Sequence, residues 1–344
     1  VPGPNLYYIT SKRFHLSERP VVLFIEQDAL TFILPELESQ KVSDLDVDFL
    51  TYSDVIGPGK AFDKFFEDHH FDKIGVESRI IRHLELNLID RNNVEILDAM
   101  SIFAELRTKK SEAEIQHIEK AVSIAEKSLT SIIHKLSSGI TESDFASSLV
   151  IELLKNGSES ELPFSPIVAS GINGANPHHF PTEKVIEKDE LVIIDWGANY
   201  KGYFSDITRT FATGNIDSKL LKAFELVRLA NSAARAKSED GVLAGDVDLA
   251  ARSIIDKGGF GDYFIHRTGH GLGLEIHEEP NIKQNEKFIL KEGNVYTIEP
   301  GIYLPELGGI RIEDDVLITE NGPDVLSSRC PKSLDEIESL IGTS

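Results

Sequence analysis

The chain has one cysteine, Cys330, among 344 residues, so no internal disulfide can hold it together and the fold must rest on its core. That usage suits a reducing compartment, and a cytoplasmic location is expected. There is no Lys/Arg-rich run, and the formal net charge is −22, which argues against nucleic acid or an anionic membrane as a partner. No apolar stretch approaches the length of a membrane span, and no signal-peptide pattern is visible. With Val1 first and the only methionine at Met100, the N-terminus reads as processed or cut. Several chemistries are missing as well. No G-x-x-x-x-G-K-[ST], no G-x-S-x-G and no strand followed by G-x-G-x-x-G occurs, and Gly57-Pro-Gly-Lys60 does not fit a phosphate loop. Cys330, beside Pro331 and with no histidine near it in sequence, is a poor candidate nucleophile.

What is present centres on Leu191 to Gly214, which reads as two strands joined by a turn. Leu191–Ile194 is apolar, Asn199–Gly202 has turn chemistry, and Tyr203–Phe211 is rich in aromatic and β-branched residues. A turn at Tyr200–Lys201 would set Asp195 directly opposite Asp206, and a neighbouring turn would shift them by a residue or two. Opposed like charges among apolar strand residues are unfavourable unless a cation lies between them. Two solvated aspartates on an exposed hairpin would explain this stretch alone equally well.

The remainder divides near Arg107. Residues 1–107 alternate strand-like and helix-like stretches, read as a small α/β domain: strands at Val21–Ile25, Leu30–Leu34 and Lys73–Glu77, short helices at Phe62–Phe66 and Leu84–Ile89. In residues 108–344, Ser111 with Glu114 forms a capping box ahead of a long amphipathic helix, stopped by Ser137–Gly139. Thr141 with Asp144 starts a second helix, and two more are expected over Ser218–Lys237 and Asp246–Lys257, the latter closed by Gly258–Gly259. Helix pair, strands, helix pair, strands is a coarse internal duplication.

Three further segments answer the aspartate pair. His266-Arg-Thr-Gly-His270-Gly-Leu-Gly-Leu-Glu-Ile-His277 is too glycine-rich for a helix, and its glycines permit backbone close to a ligand. Tyr296–Tyr303 and Gly309–Asp315 flank a turn at Pro305–Gly309 and read as a second hairpin, with Glu299 and Glu313 roughly opposite and Arg311 on the face of Glu313. A lone strand glutamate is usually solvated; the joint pattern of two hairpins, each with a facing carboxylate pair, and a Gly-flanked histidine points elsewhere. Four carboxylates carry −4, which two divalent cations balance. Carboxylate and imidazole without thiolate suit manganese, cobalt, iron or zinc. Two such ions activate water and polarise a carbonyl, which is hydrolytic chemistry.

Asp195, Asp206, His270, Glu299 and Glu313, in this order and these contexts, resemble the metallopeptidases of the pita-bread fold, which include methionine aminopeptidase, aminopeptidase P and prolidase. The match covers residues 108 to 320. It implies an α+β chain whose C-terminal domain has that fold, preceded by a smaller creatinase-like α/β domain, and it implies two divalent metal ions, favoured as Mn2+ or Co2+. Asp195 would bind one metal, Asp206 and Glu313 would bridge both, and His270 and Glu299 would complete the second site, with Glu299 also the proton shuttle. His178, His266, His277 and Arg311 match outer residues of the proline-specific branch, which orient substrate and stabilise the tetrahedral intermediate. Members usually carry a helix and a strand before the segment resembling Asn5–Thr10, so the N-terminal sheet is expected to be incomplete. The resemblance favours an Xaa-Pro dipeptidase acting as a homodimer, with aminopeptidase P on longer peptides as the alternative. Creatinase-like chemistry and a non-catalytic binding module are disfavoured by retention of all five ligands. A dipeptidase must recognise the carboxylate that follows proline, and Arg311 and His266 are the cations this reading names for it.

Overall fold

A computed structural model describes residues 1–90 and 94–332. The chain forms two compact units, Val1–Leu106 and Arg107–Ser344.

In the first unit, Val22–Ile25 pairs antiparallel with Leu30–Pro35, which pairs parallel with Asp48–Tyr52. A second parallel pair joins Lys73–Val76 to Glu95–Asp98. The strands expected at 21–25, 30–34 and 73–77 are all present, and the two short helices run over Gly59–Asp68 and His83–Ile89. Phe62 and Phe65 lie one turn apart on the first helix and bury their rings against Phe24, with Phe24 and Phe65 stacked at 4.1 Å between centroids. The segment Asn5–Thr10 belongs to a helix, Pro4–Thr10.

In the second unit, the expected capping box forms. Ser111 Oγ accepts from the Glu114 N–H at 3.4 Å, and Glu114 returns a carboxylate oxygen to the Ser111 N–H at 2.9 Å. The helix runs Glu112–Ile132, and a 3-10 turn over Ile133–Ser138 leads to Gly139 at φ 68, where a side chain would be strained. Thr141 caps the helix Glu142–Lys155. The second helix pair, Ser218–Lys237 and Ala244–Lys257, follows as expected and ends at Gly258–Gly259. The apolar faces of these pairs cover two sheets. One has the order Ile207–Ala212, Leu191–Trp196, Ile167–Ser170 and is antiparallel throughout. The other has five strands, running Glu278–Ile282, Gly269–Gly271, Val295–Ile298, Asp314–Thr319, Gly322–Val325. Every residue of Leu191–Trp196 and Ile207–Ala212 is buried, and the Trp196 indole N–H donates to the Ala125 carbonyl on the first helix at 2.9 Å. The central strands are thus covered, and any charge they carry is removed from water. Among the described residues no helix is long and apolar enough to cross a membrane.

Candidate metal centre

Asp195 lies next to the end of its strand, and Asp206 lies just before the partner strand begins. The intervening turn falls at Lys201–Gly202, with φ of 52 and 83. Two successive positive φ angles make a type I′ turn, whose second position favours glycine. The turn is thus the neighbouring one that the sequence left open, one residue later than Tyr200–Lys201, and the register moves by two: Asp195 faces Thr208, not Asp206. A shift of two preserves the face. Asp195 and Asp206 become diagonal neighbours on one side of the sheet.

The second hairpin is interrupted but keeps one register. Ile298 faces Asp314, and beyond the break Gly301 faces Arg311. Counting inward from either ladder sets Glu299 opposite Glu313, as the sequence suggested. His270 is the middle residue of the three-residue strand Gly269–Gly271. Its flanking glycines serve strand approach, not ligand approach. A Cβ at Gly269 would stand 1.8 Å from the Thr297 carbonyl oxygen, and one at Gly271 would stand 2.1 Å from that of Glu279.

These elements bring all five predicted ligand residues together. One ligand atom each from Asp206, His270 and Glu313 lies within 4.8 Å of the others, a set able to hold a metal ion. His270 Nε2 is 3.2 Å from Glu299 Oε1 and 3.7 Å from Asp206 Oδ2. Asp195 Oδ2 accepts from Arg311 Nη2 at 2.7 Å, while its Oδ1 is buried with no hydrogen-bond partner. Thr208 Oγ1 donates to Glu313 Oε2 at 2.5 Å and accepts from Arg311 Nε at 3.0 Å.

The charges do not balance. Burial raises the pKa of Asp206 far above the usual carboxylate range, and Glu313 and Asp195 add to the rise. Burial likewise raises Glu313, with Glu299 and Asp195 contributing. Asp195 is raised by burial although Arg311 opposes it. Burial acts on Glu299 in the same sense, but the bond to His270 overcomes it and holds that acid below its ordinary value. Three buried acids and half-buried Glu299 facing one arginine and one imidazole, with Asp195 Oδ1 unpartnered, fit a site for added divalent cations.

The outer residues fall into two groups. His266 and Arg311 are joined through a residue to which the sequence reading gave no role. The Tyr303 hydroxyl lies 2.9 Å from His266 Nε2 and accepts from Arg311 Nη1 at 2.8 Å. Tyr303 faces Gly309 and Arg311 faces Gly301, so two missing side chains make room for the large pair to meet diagonally. Large residues opposite glycines in a hairpin were the available signal. Arg311 serves Asp195, not Asp314 or Asp315.

His178 and His277 are exposed and line the cavity of about 500 Å3 above the acids, with the His277 ring edge-on to His270 at 4.3 Å between centroids. Although the residue as a whole is exposed, desolvation of its ring at the cavity wall, with the neighbouring His270, lowers the His277 pKa to about 4. The loop bearing His178 is held by Glu142, which sequence reading also missed. Its fully buried carboxylate accepts from the Ser170 N–H (2.7 Å), the Asn173 amide (3.1 Å), and the Thr182 N–H (3.1 Å) and hydroxyl (2.8 Å). His179 Nε2 lies 2.9 Å from the same carboxylate, so this neighbour of His178 is committed to a structural partner at the cavity wall.

Residues 116–320 match the model of metallopeptidase family M24. The chain is 40% identical over 302 residues to an Xaa-Pro dipeptidase of Pyrococcus furiosus, covering 87% of this chain and 85% of that protein. The crystal structure of a dipeptidase from Pyrococcus horikoshii OT3 superposes with a TM-score of 0.89 at 38% identity, covering 95% of this chain and 92% of that one. An X-Pro aminopeptidase from Thermotoga maritima gives a TM-score of 0.83 at 29% identity, covering 95% and 92%.

Proposed function

The chain belongs to metallopeptidase family M24, and from that premise we propose that it hydrolyses the Xaa-Pro bond of dipeptides using two divalent metal ions. The observation that carries the reading is the group of buried Asp195, Asp206 and Glu313 with half-buried Glu299 around His270, short of positive charge and with Asp195 Oδ1 unpartnered. The likeness to Xaa-Pro dipeptidases supports the substrate class.

Asp206 and Glu313 would hold both ions, Asp195 one, and His270 with Glu299 the other. Manganese or cobalt suits this oxygen-rich set best, with zinc or iron as further candidates. When bound, such ions supply Lewis acidity and a nucleophile drawn from water. The protein's own residues do the rest. Glu299, ionised at neutral pH, takes a proton and returns it to the ring nitrogen of proline as that nitrogen leaves. His178 and His277, at the cavity wall, donate to the carbonyl oxygen as it gains charge. Arg311 and Tyr303 fix Asp195 and His266 so that these groups need not reorganise during the reaction. We further propose that the chain works in the cytoplasm as a homodimer, a state that sedimentation analysis would test.

The decisive measurement is hydrolysis of an Xaa-Pro dipeptide, with metal content determined on the same sample. Activity should need manganese or cobalt and vanish with chelator; full activity in metal-stripped protein sinks the reading. Faster cleavage of an Xaa-Pro-led tripeptide would instead support the aminopeptidase reading, which the Thermotoga maritima likeness favours.

A further inference from the structure

An Xaa-Pro dipeptide carries a free carboxylate on the proline, one residue from the bond that breaks, and the site must meet that charge. Neither cation named from the sequence is available. Arg311 is 4% exposed and spends its donors on Asp195, Tyr303 and Thr208. Both ring nitrogens of His266 are engaged, Nε2 with the Tyr303 hydroxyl and Nδ1 with the Arg267 carbonyl at 2.7 Å.

Arg267 remains. Its side chain lines the same cavity as the acids and His277. Its Nη1 donates to Asn281 Oδ1 at 2.5 Å, and Asn281 is paired across the sheet from His270. Opposed residues share a face, so the guanidinium is tied to the His270 side. Asn281 is itself fixed by Glu279, which accepts from its N–H at 3.0 Å and from its Nδ2 at 2.9 Å. That bond commits the amide nitrogen and leaves the oxygen turned to Arg267. Among the described residues Arg267 forms no ion pair, whereas Arg107, Arg209, Arg228, Arg235, Arg252 and Arg311 each pair with a carboxylate. A guanidinium anchored by a neutral amide keeps its charge unpaired at the wall of the cavity it lines. In a protein of net charge −22, that is a position held for an anion from outside.

We propose that Arg267 is the specificity-determining residue that binds the free carboxylate of the substrate's proline, and so confines this site to dipeptides. The inference rests on the Xaa-Pro reading above. A guanidinium fork matches a carboxylate with two parallel hydrogen bonds, and a substrate lacking that carboxylate leaves the fork unpaired. Asn281 and Glu279 are positioning residues, acting only through Arg267.

The test compares an Xaa-Pro dipeptide with its Xaa-Pro-amide on metal-loaded protein, and L-proline with L-prolinamide as competing ligands. The wild type should favour the acid over the amide at least tenfold in kcat/KM, and should bind proline more tightly than prolinamide by a similar factor. In Arg267→Met both ratios should fall to near one, chiefly through KM for the acid, while metal content per chain is kept. Arg267→Lys, which keeps the charge and loses the fork, should recover part of the preference. A wild type indifferent to the carboxylate overturns the inference without any variant, as does an Arg267→Met protein that retains both ratios. Cleavage of neither substrate by the metal-loaded wild type would instead bring down the hydrolytic reading, and the inference with it.

Discussion

Glu313 and Asp314 are consecutive, both buried and both acidic, yet their surroundings are opposite. Glu313 enters the acid cluster, where its pKa is pushed far up by burial and by Glu299 and Asp195. Asp314 points the other way. Burial would raise it too, but Arg209, Lys332 and Arg235 outweigh that and hold it down. Arg209 is 0% exposed, donates to Asp314 Oδ1 at 2.8 Å, and also donates to the carbonyls of Thr208, Glu313, Ser327 and Cys330. One cluster is matched in charge as folded, although Arg209 Nε and Asp314 Oδ2 lack hydrogen-bond partners and Oδ2 meets Arg235 only as an ion pair at 3.4 Å. The other is matched in charge only when cations are added. The difference separates charge that holds the fold from charge that the fold must tolerate.

Four measurements would break or sharpen this contrast. The largest effect should follow Arg209→Met, which takes from Asp314 its fully buried partner, leaving it Lys332 and Arg235, and removes a donor from four carbonyls: a loss of about 3–5 kcal/mol in denaturant unfolding, the usual cost of breaking a buried pair from one side. A loss under about 1 kcal/mol would erase the distinction. On the other side of the strand, Glu313→Gln should leave metal-free stability intact or improved, because it removes repulsion. Hydrolysis should nonetheless fall at least about a hundredfold, the upper range for residues that merely support a metal ligand. Wild-type protein should gain about 3 kcal/mol from metal at a hundred times its Kd, and this variant distinctly less, as thermal melts would show.

Glu142 is a third case, an ionised buried acid held by neutral donors. Burial opposes its ionisation, but its hydrogen bonds bring the pKa to about 2. A depressed carboxyl pKa stabilises the fold fully above the unfolded value of about 4.3, and the contribution is lost as pH falls toward 2. Glu142→Gln should therefore cost roughly 2–3 kcal/mol at pH 7, and its stability should change less than that of the wild type between about pH 4 and 2. An unaltered acid limb in the pH profile would remove Glu142 from the comparison. The smallest effect should come from Thr208→Val, which takes a donor from Glu313 and an acceptor from Arg311. About 1 kcal/mol, or fivefold in metal affinity by calorimetry, is expected.

Much of this was readable in the sequence because it is local. The capping box at Ser111 and Glu114, the helix at Ser218–Lys237 and the alternation around Glu299 and Glu313 all depend on near neighbours. The sequence left the register of the first hairpin open between neighbouring turns because turn identity depends on backbone dihedrals at two residues, and only Gly202 announced them. Glu142, Tyr303 and Arg209 were missed for a different reason. Their partners lie at Ser170 and Thr182, at His266, and at Ser327 and Cys330, distances along the chain that no local pattern encodes. His266 and Arg311 line the cavity, but the sequence offered them as free cations, since their engagement by Tyr303, Thr208 and Asp195 is a tertiary fact.

The unbroken register of the second hairpin has a consequence for how this chain can vary. Glu299 faces Glu313 only because the loop between Leu304 and Gly308 has its present length, with Glu306 at φ 71. Replacing a residue there alters a surface; removing one would slide the later strand by a single position and turn Glu313 to the other face. The loop supplies no residue to the cavity lining among the described residues, and spacing, not chemistry, is what it contributes. Substitutions should accumulate freely at Pro305–Leu307, while insertions and deletions of a single residue should be as damaging as loss of a ligand.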